Sequence, residues 1–373
     1  QGNQDGNDIG DFFYAVPTGF LALCTSNLPT VAVVPSENFN PVIYTGNATA
    51  QRQITGVGFQ SDWTWIKART GTFGGQGHFL FDAVRGVGKQ IYSNSTSVEA
   101  TNTNNLYAFD SDGFSLGQSA QDSVTNGAST TFVAWNWKAN GSGSSNTDGS
   151  INTTKTSANV DAGFSIVTYT STTGTIGHGL SKAPEMIIQK GRNVTDQWTV
   201  GHKDLNAGSN AWNYGIPLNT TASTQTNSGF WNNTAPTLTV FSNGSWNNTY
   251  TKVAYCFHSV DGYSKVGSYT GNGVANNGTF VYTGFRPKFV LIKRSNSDGQ
   301  AAPIFDSARS PFNIANKGLK SNSANAEITT DGGIDLLSNG FKANQNDGEV
   351  NSDGGIYIYL AFAETPFKYS NAR

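Results

Sequence analysis

An all-β fold, arranged as three tandem antiparallel β-sandwich (jelly-roll-like) domains, is predicted by three observations. Segments rich in Val, Ile, Thr and aromatic residues alternate with Gly/Asn/Asp/Ser turns, the pattern of sandwiches. No long amphipathic helical stretch interrupts them. A set of landmarks also recurs three times in one order, with Lys67, Lys190 and Lys293 marking the period. The repeat is a little over one hundred residues, about a small domain and far longer than a solenoid or propeller repeat.

Each unit opens on an aromatic-Thr strand end: IYTGN (Ile43 to Asn47), VTYTS (Val167 to Ser171), SYTGN (Ser268 to Asn272). A strand with a basic end follows, as WTWIKAR (Trp63 to Arg69), MIIQKGR (Met186 to Arg192) and FVLIKR (Phe289 to Arg294). Units one and three then share FDAVR (Phe81 to Arg85) and FDSAR (Phe305 to Arg309), each followed by an Asn and, five residues on, a Glu: Asn94 with Glu99, Asn322 with Glu327. The middle unit keeps Asn219 and lacks the rest. A Gly-containing turn comes next, in DSDGF (110–114), FSNGS (241–245) and LSNGF (337–341), and each unit closes on FVAWNW, KVAYCF or YLAFAE.

These landmarks divide the chain into an upstream end plus connector (1–40), unit one (41–140), a Gly/Ser-rich linker (141–159), unit two (160–260), unit three (262–368) and a tail (369–373). The stretch KANGSGSSNTDGSINTT (Lys138 to Thr154) is poor in apolar residues and is expected to be flexible. Gln1 is not an initiator Met, and FFYAV near the start reads as the last strand of an upstream domain, so a longer parent polypeptide is expected.

Composition narrows the function classes. Charged residues are 13% of the 373, about half the usual share, while 8 Trp, 14 Tyr and 23 Phe are too many aromatics for a disordered chain. The net charge of -2 offers no footprint for nucleic acid or an anionic membrane. No apolar run is long enough for a membrane-spanning helix. The two cysteines, Cys24 and Cys256, lie far apart and cannot make a disulfide framework.

No catalytic motif is present: no nucleophile elbow, no phosphate loop, no paired His or Cys spacing for zinc. The four histidines occupy unrelated repeat positions. Asp82 with Arg85 and Asp306 with Arg309 are expected to pair bidentately as structural turn braces, with Glu99 and Glu327 joining them. The acidic turns at Asp110 to Gly113 and Asn346 to Gly354 leave calcium as a weak alternative to plain hairpin turns; no other cofactor is expected. In the divergent middle unit, Trp212, Tyr214, Trp231 and Trp246 lie in Asn/Gly-rich stretches where exposed rings could stack on a glycan.

The motifs IYTGN with WTWIKAR, FDAVR, DSDGF and the closing FVAWNW resemble a repeated module of marine bacteriophage structural proteins. FVLIKR, FDSAR, LSNGF and IYLAFAETPFKYSNAR look like its terminal copy, and GDFFYAVPTGFLALCTSNLP is similar to the end of a SPRY-like, concanavalin-type domain. The resemblance implies a non-enzymatic virion surface protein, fibre- or tail-associated, contacting other virion proteins and a host-surface glycan. Capsid decoration is the alternative, and polysaccharide depolymerisation a third. Units this small, without disulfides, also predict a homo-oligomer, with a trimer favoured.

Overall fold

The computed structural model describes residues 2–27, 32–70, 77–117, 124–246, 248–329 and 333–364; the tail 369–373 lies outside them. The described chain is all-β and antiparallel, with six sheets and short 3-10 turns. In the first unit the large sheet runs β1 (Phe39–Thr45), β9 (Thr131–Trp137), β3 (Trp63–Ala68), β4 (Phe79–Asp82), β5 (Lys89–Tyr92), β6 (Ala100–Thr101), and the small sheet β2 (Arg52–Ile54), β8 (Gly113–Leu116), β7 (Ala108–Asp110). The second unit repeats this as β10 (Lys155–Asn159), β11 (Phe164–Thr170), β18 (Thr251–Phe257), β13 (Met186–Gly191), β14 (Thr199–His202), β15 (Tyr214–Pro217), β16 (Gln225–Thr226), with β12 (Gly174–Gly177) pairing β17 (Val240–Asn243). In the third, β19 (Ser264–Thr270), β26 (Ile356–Ala363), β21 (Pro287–Arg294), β22 (Pro303–Asp306), β23 (Leu319–Lys320) form the large sheet, and β20 (Phe280–Tyr282), β25 (Gly340–Ala343), β24 (Ile334–Leu337) the small one. Three times, the opening strand pairs the closing strand, and the closing strand pairs the Lys-bearing one.

Both faces of the central strands of each large sheet are buried. Side chains alternate across a strand, and in β9 Phe132 and Ala134 face the unit's own small sheet while Val133, Trp135 and Trp137 face the other way. In β26, Tyr357, Tyr359 and Ala361 belong to the unit's own sandwich; Ile358, Leu360 and Phe362 turn outward from it. These second faces meet one another in a single central core. Trp63 lies 4.3 Å from both Trp137 and Tyr255 by ring centroids, Phe257 lies 6.1 Å from Phe362, and Phe39 stacks on Phe362 at 4.9 Å. Two-sided burial is why these strands read as continuous apolar runs and not as an alternation.

Several expectations change. The 141–159 stretch folds onto unit two: Ser144 bridges Thr156, Ile151 bridges Ile176 beside β12, and residues 155 to 159 add β10 to the large sheet. Its many hydroxyl and amide side chains bond backbone, as in Asn146 N to Thr153 Oγ1 at 2.8 Å and Ser150 N to Thr175 Oγ1 at 2.9 Å, and so replace solvent. The first unit begins before residue 41, with Val33 and Pro35 buried and β1 starting at Phe39. FFYAV is not a strand; Phe12 alone pairs, in one bridge with Asn3, and among the described residues no strand runs beside this segment. In FSNGS, Phe241 to Asn243 is strand β17, and the turn falls earlier, where Thr237 N bonds Val240 O.

Candidate functional site

The repeat landmarks converge where one unit meets the next. Asp82 accepts Arg85 N at 2.7 Å and Arg85 Nε at 2.5 Å, and the Arg85 Nη1 donates to Glu99 at 3.1 Å. Glu99 then holds Arg192 of unit two bidentately, both bonds at 2.9 Å, while the Tyr255 hydroxyl donates to Asp82 at 2.8 Å. The same five groups recur between units three and one. Arg309 Nε donates to Asp306 at 2.6 Å and its Nη1 to Glu327 at 3.1 Å; Glu327 holds Arg69 at 2.9 and 3.0 Å, and Trp135 Nε1 donates to Asp306 at 2.9 Å. The Asp–Arg pairs are thus nodes of an inter-unit network and not only braces of their own turns.

The electrostatics follow from burial. Both Asp–Arg side-chain pairs are fully buried. Burial pushes the Glu99 and Glu327 carboxyls up, but the guanidinium groups around them outweigh it and hold both below the usual range. Each landmark lysine also reaches across a junction, Lys67 to Ala324 O, Lys190 to Thr96 O and Lys293 to Thr220 O, at 3.1, 3.2 and 2.9 Å. Desolvation lowers all three ammonium groups to about 8.

The third junction, unit two to unit three, keeps the backbone contact and drops the charges. Thr224 N donates to Ser295 O at 3.0 Å, as Glu99 N does to Arg192 O and Glu327 N to Arg69 O at 2.7 and 2.9 Å. In this register His202, Leu205, Thr224, Ser295 and Leu360 replace the Asp, Arg, Glu, Arg and aromatic donor of the other two junctions. Leu205 and Leu360 join the central core, and Met186, Val200, Ile216, Leu291 and Ile358 line the seam. The four charged groups and the aromatic donor go together, which avoids leaving one buried charge without its mate. Asn219, by contrast, is retained: its Oδ1 accepts Trp198 N at 2.9 Å, as Asn94 accepts His78 N and Asn322 accepts Ala302 N.

Of the four aromatic residues expected to meet a glycan, Trp212 and Trp231 are buried. Their rings meet edge to face at 5.5 Å over Gly201, whose Cα allows them that close. Trp231 Nε1 donates to Tyr214 O at 3.1 Å, so this cluster is core that fills the divergent unit, and it is not available to stack on sugar. Tyr214 is half-buried against the core, and only Trp246 is exposed, leaning on Phe230 at 5.4 Å. Trp231→Ala is accordingly expected to cost about 3–5 kcal/mol of stability and Trp246→Ala about 1 kcal/mol or less, read from urea unfolding. Asp110, Asp112, Asp347 and Glu349, in the turns considered for calcium, are engaged by the protein itself. Asp112 accepts Gly56 N and Gly58 N at 3.0 and 2.7 Å, Asp110 accepts Ser115 Oγ at 2.5 Å, and Glu349 accepts Lys320 Nζ at 2.6 Å. Among the described residues no three His, Cys, Asp or Glu side chains group to hold a metal ion. Burial pushes the Cys256 thiol up to about 12, which makes it inert.

The outer faces of the three small sheets are not alike, and this the sequence repeat did not reveal. In unit one the outward positions are Gln53, Thr55, Ala108, Asp110 and Ser115; in unit two they include Thr175 and Ser242. In unit three Phe280 and Tyr282 stand 46% and 64% exposed, with Phe312 at 81% and Ile314 at 44% in the loop flanking β24. A second exposed apolar group, Phe13, Tyr14, Phe20 and Leu23, lies in the 2–27 segment, where the Asp5 carboxylate organises the turns through Asn7 N, Ile9 N and Ala22 N.

Fold and contacts together define an all-β protein of sandwich-type units joined in a ring around one core. The chain belongs to the family described as "Domain of unknown function (DUF7483)", whose model matches residues 34–366. No curated protein and no solved structure matches it.

Proposed function

We propose that the chain is a non-catalytic structural component of a bacteriophage virion surface, fibre- or tail-associated, that carries host-facing and neighbour-facing surfaces on a rigid three-unit body. The observation that carries this reading is where the buried polar groups go: they link one unit to the next. Asp82, Glu99, Asp306 and Glu327 are each held by arginine, so they do not form the acid and base pair that glycoside hydrolysis requires. A body whose charges serve cohesion and whose exposed aromatics differ from unit to unit suits presentation better than turnover. Capsid decoration is a second reading, favoured by the three-unit ring, which matches a threefold position on a shell.

Gold-labelled antibody against this chain, applied to intact phage particles, tests the reading. Label at the tail or fibres is expected. Even label over the shell would favour decoration, and absence of label from particles that contain the gene would overturn both.

A further inference from the structure

We infer that the outer face of the third unit's small sheet is a self-association surface, and that its occupant is the same face of a second copy related by a twofold axis. The three repeats act as internal controls. Equivalent positions on the other two small sheets are small or polar, so the shared scaffold does not demand aromatics there; unit three alone places Phe280 and Tyr282 on the outside of an edge strand.

Strand register then gives the layout of this face. Phe280 pairs with Lys342 and Lys342 with Asp335, so β20, β25 and β24 contribute aromatic, cation and anion in succession across the sheet. Beyond β24, Ala315 bridges Ile334 and the Asn313 side chain brackets Leu336, accepting from its N at 2.9 Å and donating to its O at 3.1 Å. That fixes the exposed Phe312 and Ile314 along the far side of β24. Lys342 and Asp335 are cross-strand neighbours that make no ion pair with each other; Lys342 Nζ bonds Asn277 Oδ1 at 3.1 Å instead.

A twofold axis parallel to the strands, between β24 and β25, superposes this layout on itself in reverse. Lys342 then faces Asp335 of the second copy and Asp335 faces its Lys342, while Phe280 and Tyr282 cover the second copy's Ile314 and Phe312. Charge meets opposite charge and apolar meets apolar on both sides, which is what an isologous contact requires. Packing sheet face on sheet face also extends the sandwich geometry the chain already uses.

Sedimentation equilibrium of the full chain tests this. A concentration-dependent dimer is expected, with Lys342→Asp and Asp335→Lys each weakening it at least about tenfold, or about 1.4 kcal/mol. The double variant Lys342→Asp/Asp335→Lys restores both pairs and is expected to return to within about threefold of the parent. Tyr282→Ser is expected to abolish the dimer while its melting temperature stays near the parent's, since the side chain is exposed. A chain that remains monomeric to about 100 µM, well above the range of a specific interface, would overturn the inference. So would a double variant as weak as the single ones, or a Tyr282→Ser chain that folds and still dimerises.

Discussion

Asp82→Ala is expected to lower the unfolding free energy by about 3–5 kcal/mol, because it leaves Arg85 buried without its closest anion. Arg85 keeps Glu99 and the Leu80 carbonyl, but Tyr255 also loses its acceptor, and the damage reaches unit two. The third junction shows how the same place can be built without charge. Replacing the whole set together, Asp82→His, Arg85→Leu, Glu99→Thr, Arg192→Ser and Tyr255→Leu, reproduces its residue types and leaves no buried charge without its mate. That fivefold variant is expected to lie within about 1–2 kcal/mol of the parent, far above the single change, in equilibrium urea unfolding. A fivefold variant less stable than Asp82→Ala would show that the network contributes net stability and not only pairing.

Acid should weaken the fold well before its carboxylates titrate. All four histidines are buried and held neutral: desolvation lowers His178 to about 4 and His202 to about 3, and His78 and His258 move the same way. The geometry agrees, since Trp65 Nε1 donates to His78 Nδ1 at 2.8 Å and Leu180 N to His178 Nδ1 at 3.1 Å, bonds that need an unprotonated acceptor. A folded-state value below the unfolded 6.5 means that the unfolded chain binds the extra proton. The histidine contribution is therefore full above about pH 6.5 and is lost as pH drops toward 4 and 3. At pH 5 His178 and His202 cost about 2 kcal/mol each, and the other two add to this. The lowered carboxyls of Glu99, Glu185 and Glu327 add a further loss in the same direction below about pH 4.5. Urea midpoints at pH 7 and pH 5 check this; midpoints that coincide would mean that the histidines are solvated.

The fold class and the repeat were legible in the sequence because both live in strand pattern and turn chemistry. Landmarks such as Lys67, Lys190 and Lys293 recur with their strands, and their spacing survives the divergence of unit two. Less legible was the second buried face. Trp135 and Trp137 look like the core of one sandwich, yet they pack against Phe289 and Phe362 of another unit, a contact that no local pattern encodes. The signal lay in WTWIKA and MIIQKG, which are apolar at consecutive positions where a half-exposed strand would alternate. Aromatic-rich loops misled for the converse reason: Trp212 and Trp231 sit among Asn and Gly in sequence, but Gly201 across the sheet gives them a buried place. The partners of Glu99 and Glu327, Arg192 and Arg69, could have been found from the recurring basic strand ends. What hid them was that each pair joins different units.

The ring of contacts closes between the last unit and the first, and this orders the events of synthesis. Arg69 meets Glu327, 258 positions later, and Phe39 at the start of the first strand stacks on Phe362 in the last. A ribosome that has released the first unit has therefore made a sandwich whose inner face, with Trp63, Trp65, Trp135 and Trp137, has nothing to cover it. Unit two can cover Trp63 through Tyr255 and Phe257, but the contacts of Phe39 and Trp137 with Phe362 wait for the final strand. Such long-range closure makes for slow folding and an intermediate that is prone to association, so nascent chains truncated before β26 are the form that needs a chaperone.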